Sequence, residues 1–442
     1  MGKSKTKMNA LQLTIIVAVN MMGSGIIMLP SNLAQVGTVS ILSWILTALG
    51  ALALAYTFAQ CGMLSRNKGG MGGYAQYTFG KNGNFMANYS YGISLLIANV
   101  AIAVSVVAYG TQFLGIHLSP VMNTIAIIVV LWISTVLNFG SANFTGKIGS
   151  VVVWGIIIPL VIVSVIGWFW FSPSRWIGAW NPHHLSLATG IKSSIALTLW
   201  AFLGLESASA NMDSVENPQK NVPIACLGGT IIAAIFYIIS TEVMAGICPT
   251  HALATSNAPF GLVFATMFNP TVGKVIMGLM VIACFGSLMA WQFTVAEVFK
   301  SSAFEGYFPK VFTKVTSRNV PIIGMIILGI IQTLLALMTI SPNLNAQFQV
   351  IVNLAVVTNM VPYLLSMASL QNMQVIEKAT NKKKIKINNI IAVLAGIYTL
   401  YALYTAGSQA MLYGGIVAMA GWTIYGFLAH RFNNDQGPVT AA

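Results

Sequence analysis

The chain has 442 residues, of which 57% are apolar and only 7% charged, with a mean hydropathy of +0.80 and a formal charge of +13. So few charges cannot cover a water-facing surface, which excludes a soluble enzyme or binding domain and implies an all-α integral membrane protein. The four cysteines, Cys61, Cys226, Cys248 and Cys284, have no paired spacing, so neither a disulfide framework nor a metal site is indicated, and no cofactor is expected.

In chain order, apolar stretches long enough to cross a bilayer core of about 30 Å follow one another with short polar connections. Twelve transmembrane helices are predicted, at roughly 11–35, 40–64, 84–114, 121–139, 148–171, 193–212, 224–247, 274–299, 322–340, 347–370, 388–406 and 410–430. They leave no room for a separate soluble domain, so residues 1–442 read as one transmembrane transporter domain. No cleaved signal is expected, because the first span is too long for a signal core and lacks a convincing small-residue cleavage site.

Lys and Arg set the orientation, since positive residues are retained on the cytoplasmic side. With the N-terminus inside, eighteen of the 21 basic residues fall in inner segments, and only Arg175, Lys192 and Lys274 fall outside. Both termini are therefore expected in the cytoplasm. The run Lys382–Lys386 reads as an inner loop facing anionic lipid. Nucleic-acid binding is not indicated, because no basic, aromatic-interleaved domain accompanies the charge.

Two helices break their own pattern, and they sit five apart. The first reads VNMMGSGIIMLPSNLA, with Gly23, Ser24 and Gly25 near its middle. The sixth reads TLWAFLGLESASA, with Gly204 and a cluster of small residues around Glu206. Glycine in a membrane helix also serves close packing. Interruptions at corresponding positions of two halves instead point to an inverted-repeat transporter with its site between the halves. Helices 1 to 5 (about 11–171) and 6 to 10 (about 193–370) would form the 5+5 repeat, and helices 11 and 12 (about 388–430) would follow. Glu206 lies in an almost uncharged run, where a carboxylate costs about 2.5–3.5 kcal/mol or more unless paired, so a cation that comes and goes is its expected partner.

The segments GSGIIMLP in helix 1, GGMGGYAQYTFG after helix 2 and WAFLGLES in helix 6 resemble the amino acid/polyamine/organocation superfamily. The likeness extends from about Leu11 to Arg431 and includes NPHH from Asn181, VENPQKNVPIA after helix 6 and VFKSSAFEGYFPK after helix 8. More closely, the chain is similar to the basic amino acid/polyamine antiporters, in particular to those that exchange putrescine for ornithine. Lysine/cadaverine and arginine/agmatine exchangers share most of these motifs, so the substrate pair stays open at this point.

The resemblance implies alternating access in a bacterial inner membrane. A cytoplasmic ornithine decarboxylase would then regenerate the diamine, resistance to acid would follow, and a homodimer is admitted. It places the α-carboxylate of an amino acid at the Gly23-Ser24-Gly25 turn and its α-amino group at the backbone of Ala201 to Gly204. It directs Asn99 toward the distal amine and uses Trp200, Trp291 and Tyr363 to line or close the cavity. Tyr74, Tyr91, Trp422 and Tyr425 become gate candidates. Each has a plainer reading: Ser24 as a hydroxyl bonded to its own helix, Asn99 as interhelical glue, and the aromatics as core or interfacial belt. The chemistry stands independently for the tryptophans, because an alkylammonium over an indole face gains about 0.5–2 kcal/mol.

The remaining acidic residues of the helices are fewer still. Glu242 is expected as an interfacial group near the outer end of helix 7, and Glu297 as the partner of Lys300 three residues on. No cluster of acid, base and nucleophile suggests an enzyme, and no repeat suggests a channel filter. A sodium- or proton-coupled amino-acid symporter remains an alternative to exchange, and proton-coupled diamine uptake through Glu206 is compatible with it.

Overall fold

The computed structural model describes residues 9–67, 69–140, 152, 154–208, 215–341 and 343–429, and all regular structure in them is helical. Polar caps set the starts of the helices. Asn9 forms a reciprocal capping box with Gln12 at the head of α1 (Ala10–Met21). Ser119, Asn269 and Asn343 accept a backbone N–H at the heads of α5 (Pro120–Leu137), α12 (Pro270–Phe304) and α14 (Leu344–Ile376). In α5 and α12 a proline occupies the first turn, where its missing N–H costs nothing.

Among the described residues, eight helices are long and apolar enough to cross a membrane: α3 (Ser40–Leu64), α4 (Met71–Leu114), α5, α9 (Pro218–Ile247), α12, α14, α15 (Lys382–Thr405) and α16 (Ser408–Leu428). Shorter helices hold the other expected positions. They are α1 with α2 (Leu29–Val36), α6 (Trp154–Ile166), α8 (Leu187–Trp200) and α13 (Ile322–Met338). Three short helices, α7 (Pro173–Gly178), α10 (Thr250–Ala254) and α11 (Pro259–Met267), cover one end of the bundle. The beginning of the expected fifth span, the end of the sixth, and Lys3, Lys5, Lys7, Lys68, Lys147 and Arg431 lie outside the described residues.

The two expected interruptions are present. After Met21, α1 gives way to a 3-10 turn at Ser24–Ile26 before α2 resumes. After Trp200, α8 unwinds through Gly204, whose φ is 105°, into a 3-10 turn at Leu205–Ala208. The breaks touch each other: a Cβ at Gly25 would stand 3.3 Å from the Cα of Ala201. Tyrosines from neighbouring helices satisfy the carbonyls freed by unwinding. The Tyr109 hydroxyl donates to the carbonyl of Ile27 at 3.0 Å, and the Tyr237 hydroxyl to that of Ala201 at 2.9 Å.

Small residues let the central helices approach. A Cβ at Gly92 of α4 would meet the Phe299 ring of α12 at 2.7 Å, and the Ser94 hydroxyl of α4 donates to the carbonyl of Ala355 in α14 at 2.9 Å. By contrast, Ile125, Val129, Ile133 and Val136 form an exposed apolar stripe along α5, as a lipid-facing surface requires.

The glycine-rich segment after helix 2 is helical from Met71 and kinks at Gly80, whose φ is 60°. Two expectations need correction. The basic run Lys382–Lys386 is the first turn of α15 rather than a loop, because Asn381 caps it by accepting the Lys384 N–H at 3.0 Å. Glu242 is buried rather than interfacial, with its carboxylate held by the Trp176 indole.

Candidate functional site

Unwinding at Gly204 turns the chain so that Glu206 faces the centre of the bundle instead of continuing the line of α8. Its carboxylate is buried, and hydroxyl and backbone donors orient it. The Tyr363 hydroxyl from α14 donates to Oε2 at 2.7 Å, the Gly204 N–H donates to the same oxygen at 3.1 Å, and the Tyr91 hydroxyl from α4 donates to Oε1 at 3.2 Å. Four elements thus converge on one anion: the α8 break, α4, α14 and, through Asn20 and Gly23 beside it, the break after α1. Tyr363, Tyr91 and Gly204 are neutral donors, and they hold the carboxylate in a fixed direction. A carboxylate buried this deep in a membrane bundle is a candidate functional group.

The carboxylate borders a cavity of about 50 Å³. Gly23, Gly25, Trp200, Gly204 and Trp291 line it, as does Tyr91, which had been read as a gate. Trp200 stands edge-on to Phe348 with ring centroids 6.3 Å apart, which fixes its indole against the pocket. The Trp291 ring reaches across toward Gly204. Two buried polar atoms of lining residues, Trp200 Nε1 and Asn359 Oδ1, have no hydrogen-bond partner among the described residues. Such groups are costly unless a ligand or water meets them.

The other expected residues are placed elsewhere. Ala201 lies behind the pocket wall with its carbonyl engaged by Tyr237. The Ser24 backbone belongs to the 3-10 turn, while its side chain lies outside what the structure describes. Tyr363 is fully buried behind Glu206 and packs edge-on to Phe58. Asn99 is also fully buried and points away from the cavity into a polar network. Its Nδ2 donates to Gln292 Oε1 at 2.6 Å, and Gln292 in turn bonds Gln332 and Thr135. The plainer reading of Asn99, glue between helices, is the geometry observed.

Tyr74 borders a second, larger cavity of about 320 Å³, which opens toward the end of the bundle carrying Arg66, Lys310 and Lys378. Glu297 and Glu305 also line it, and its inner end is formed by the same Tyr91 and Glu206 that border the first cavity. Trp422 is 49% exposed on the outer face of α16, and Tyr425 packs on Phe85 with centroids 5.4 Å apart; neither lines these two cavities.

Asn359 and Asn20 were not anticipated. Asn359 is one helical turn before Tyr363, so the spacing of four residues was the available signal. Among the described residues no group of His, Cys, Asp and Glu could hold a metal, and the four cysteines are free and buried.

An unwound pair of helices, a buried carboxylate and an indole-lined pocket within a bundle of apolar helices are the features of a membrane permease. The profile of the amino acid permease family matches residues 8–428, and the chain belongs to that family. It is 61% identical over 435 residues to the putrescine transporter PotE of Escherichia coli K12, covering 98% of each chain. It is 60% identical to the putrescine transporter PotE of Haemophilus influenzae, covering 98% of this chain and 99% of that one. The cadaverine/lysine antiporter of E. coli K12 is 31% identical, over 98% of this chain and 97% of the other.

Proposed function

We propose that this permease carries putrescine and exchanges it for ornithine across a bacterial inner membrane by alternating access. The observation that carries the proposal is the buried Glu206 carboxylate, oriented by hydrogen bonds from Tyr91, Tyr363 and Gly204 in a pocket that Trp200 and Trp291 line. An alkyldiamine matches this combination of carboxylate and indole faces. One ammonium would meet Glu206, the methylenes would lie against the indoles, and Asn359 Oδ1 is an acceptor for a further N–H. The cavity has room for about four water-sized groups, so a six-heavy-atom diamine fits only with a small expansion.

Relatives named putrescine transporters at 60–61% identity favour the four-carbon diamine over its five-carbon homologue, and a relative named an antiporter favours exchange. Ornithine would bind with the same distal ammonium, its carboxylate reaching the Gly23-Ser24-Gly25 turn. The fold would be two inverted repeats, about 11–171 and 193–370, rocking against each other, with both termini in the cytoplasm. Proton-coupled putrescine uptake would use the same site, and a homodimer is compatible with the exposed apolar flanks.

Sending out a dication for a monocation moves one net charge against an inside-negative potential, which costs about 2.3 kcal/mol per 100 mV. Opposed gradients would supply this, maintained by a cytoplasmic ornithine decarboxylase. Decarboxylation consumes a proton, so the couple would resist acid.

The test is ornithine uptake into proteoliposomes loaded with putrescine, cadaverine, agmatine or buffer. Uptake driven best by internal putrescine and silent in empty vesicles supports the reading. Uptake into empty vesicles under a proton gradient would replace exchange with symport, and preference for cadaverine or agmatine would change the substrate pair.

A further inference from the structure

A second carboxylate lies inside the bundle, outside the site described above. Glu242 sits on α9, five residues before its end, and is 7% exposed. Its only hydrogen-bond partner among the described residues is the indole of Trp176 in α7, whose Nε1 donates to Oε2 at 2.8 Å. No described cation lies within ion-pair distance of it. It borders a small cavity of about 10 Å³, too small for more than one water. The far wall of that cavity is α2, through Pro30, Leu33 and Ala34, and α10 closes its side with Thr250 and Leu253.

The charged and titratable groups around Glu242 leave it uncompensated. From α7, Arg175 turns away and gives Nη1 to the carbonyls of Gly246 and Ile247. From α10, His251 is exposed, as are His183 and His184 on the connection after α7. The α2 helix brings no charged group: Ser31 bonds the carbonyl of Ser256, Asn32 that of Met28, and Gln35 that of Ala254. Thr38 spends its hydroxyl on the carbonyl of Trp176. An ionised carboxylate with one neutral donor and no room for a hydration shell would be an unpaired buried charge, the costliest of arrangements.

We infer that Glu242 is a proton-binding site: its carboxyl holds a proton while α2 is packed against α9, and releases it to water when α2 lifts away. The proton sits on Oε1, the oxygen without a partner, while Oε2 keeps the Trp176 bond. No other bond changes. Since α2 is the far half of the broken first helix, seating α2 and taking up one proton become a single event at this end of the bundle. The coupling to transport rests on the exchange reading above, whereas the protonation itself does not.

The direct test is infrared spectroscopy of purified, substrate-free protein at neutral pH in H₂O and D₂O. The expected result is a deuterium-sensitive protonated-carboxyl band that Glu242→Gln removes and Glu206→Gln leaves. Trp176→Phe, which deletes the donor but keeps the acid, should move that band to higher frequency. A spectrum unchanged by Glu242→Gln, or a band unmoved by Trp176→Phe, overturns the proposal even if exchange is measured as expected. In proteoliposomes, Glu242→Gln should lose the dependence of exchange on the pH of the compartment facing α2 while retaining exchange itself. An unaltered pH profile overturns the coupling. Absence of exchange in the unmodified protein would instead sink the functional reading and leave the infrared result standing.

Discussion

Tyr363 and Glu206 are 157 residues apart in sequence and 2.7 Å apart in space, joined by a hydrogen bond between α14 and the break after α8. With Gly204 it holds one carboxylate oxygen, while Tyr91 holds the other. The carboxylate is thereby fixed in direction, which on the proposed reading lowers the ordering cost of binding an ammonium group.

Removing the charge while preserving the shape separates its role from packing. Glu206→Gln is expected to abolish measurable exchange while the protein stays folded and membrane-inserted. Tyr363→Phe deletes one hydrogen bond to a charged group, worth about 1.5–3 kcal/mol, and should weaken substrate affinity by roughly tenfold to a hundredfold. Equilibrium binding of labelled putrescine to the purified variants checks both.

Gly204 holds φ at 105°, a conformation open to glycine and strained for any L side chain. Gly204→Ala should cost about 1–3 kcal/mol and swing the N–H away from Glu206. The expected outcome is a lowered melting temperature together with loss of uptake, in contrast to Gly415→Ala, where an added methyl meets nothing within 4 Å.

The indoles are expected to act on affinity more than on folding. Trp200→Leu and Trp291→Leu each lose a cation–π contact of about 0.5–2 kcal/mol, which corresponds to a KM raised by roughly twofold to thirtyfold, and Trp→Phe at either position should fall in between. Initial-rate measurements over a range of substrate concentrations distinguish this from a loss of active protein.

Asn99 gives the opposite pattern. It lies outside the cavity and bonds Gln292, so Asn99→Ala should lower stability by about 0.6 kcal/mol, and by no more than about 1.7 kcal/mol, with KM nearly unchanged. Thermal denaturation in detergent alongside transport kinetics reads both quantities; a large KM effect with intact stability would return Asn99 to the substrate.

Arg66 and Glu377 form an ion pair at 2.7 Å, but the arginine side chain is 83% exposed. Arg66→Ala is therefore expected to change stability by less than about 1 kcal/mol and to leave exchange intact in moderate salt.

Much of this was legible in the sequence because membrane helices announce themselves by length and apolarity. The limits of α3, Ser40 to Leu64, coincide with the expected span, and both interruptions were marked by glycine. Glu206 was visible because a charge in such surroundings has few bland explanations. What was hidden depended on which face of a helix a residue takes once neighbours are fixed. Asn99 is one residue past Ala98, which lines the cavity, yet it points into the network around Gln292. Tyr363 fell on the expected helix, but its bond to Glu206 depends on how α14 meets the α8 break. Trp422 sits on the outer face of α16, a distinction that aromatic spacing alone does not make.

The two cavities share Tyr91 and Glu206 in their walls. On the exchange reading, the path from vestibule to pocket would run past these two side chains, and side-chain rotations are faster than movements of whole helices. Elsewhere in the wall Trp200 packs edge-on to Phe348, and both are carried on helices, whose collective motions take microseconds to milliseconds. On the alternating-access reading a cycle would therefore be mechanically lopsided, its pace set where backbone must travel.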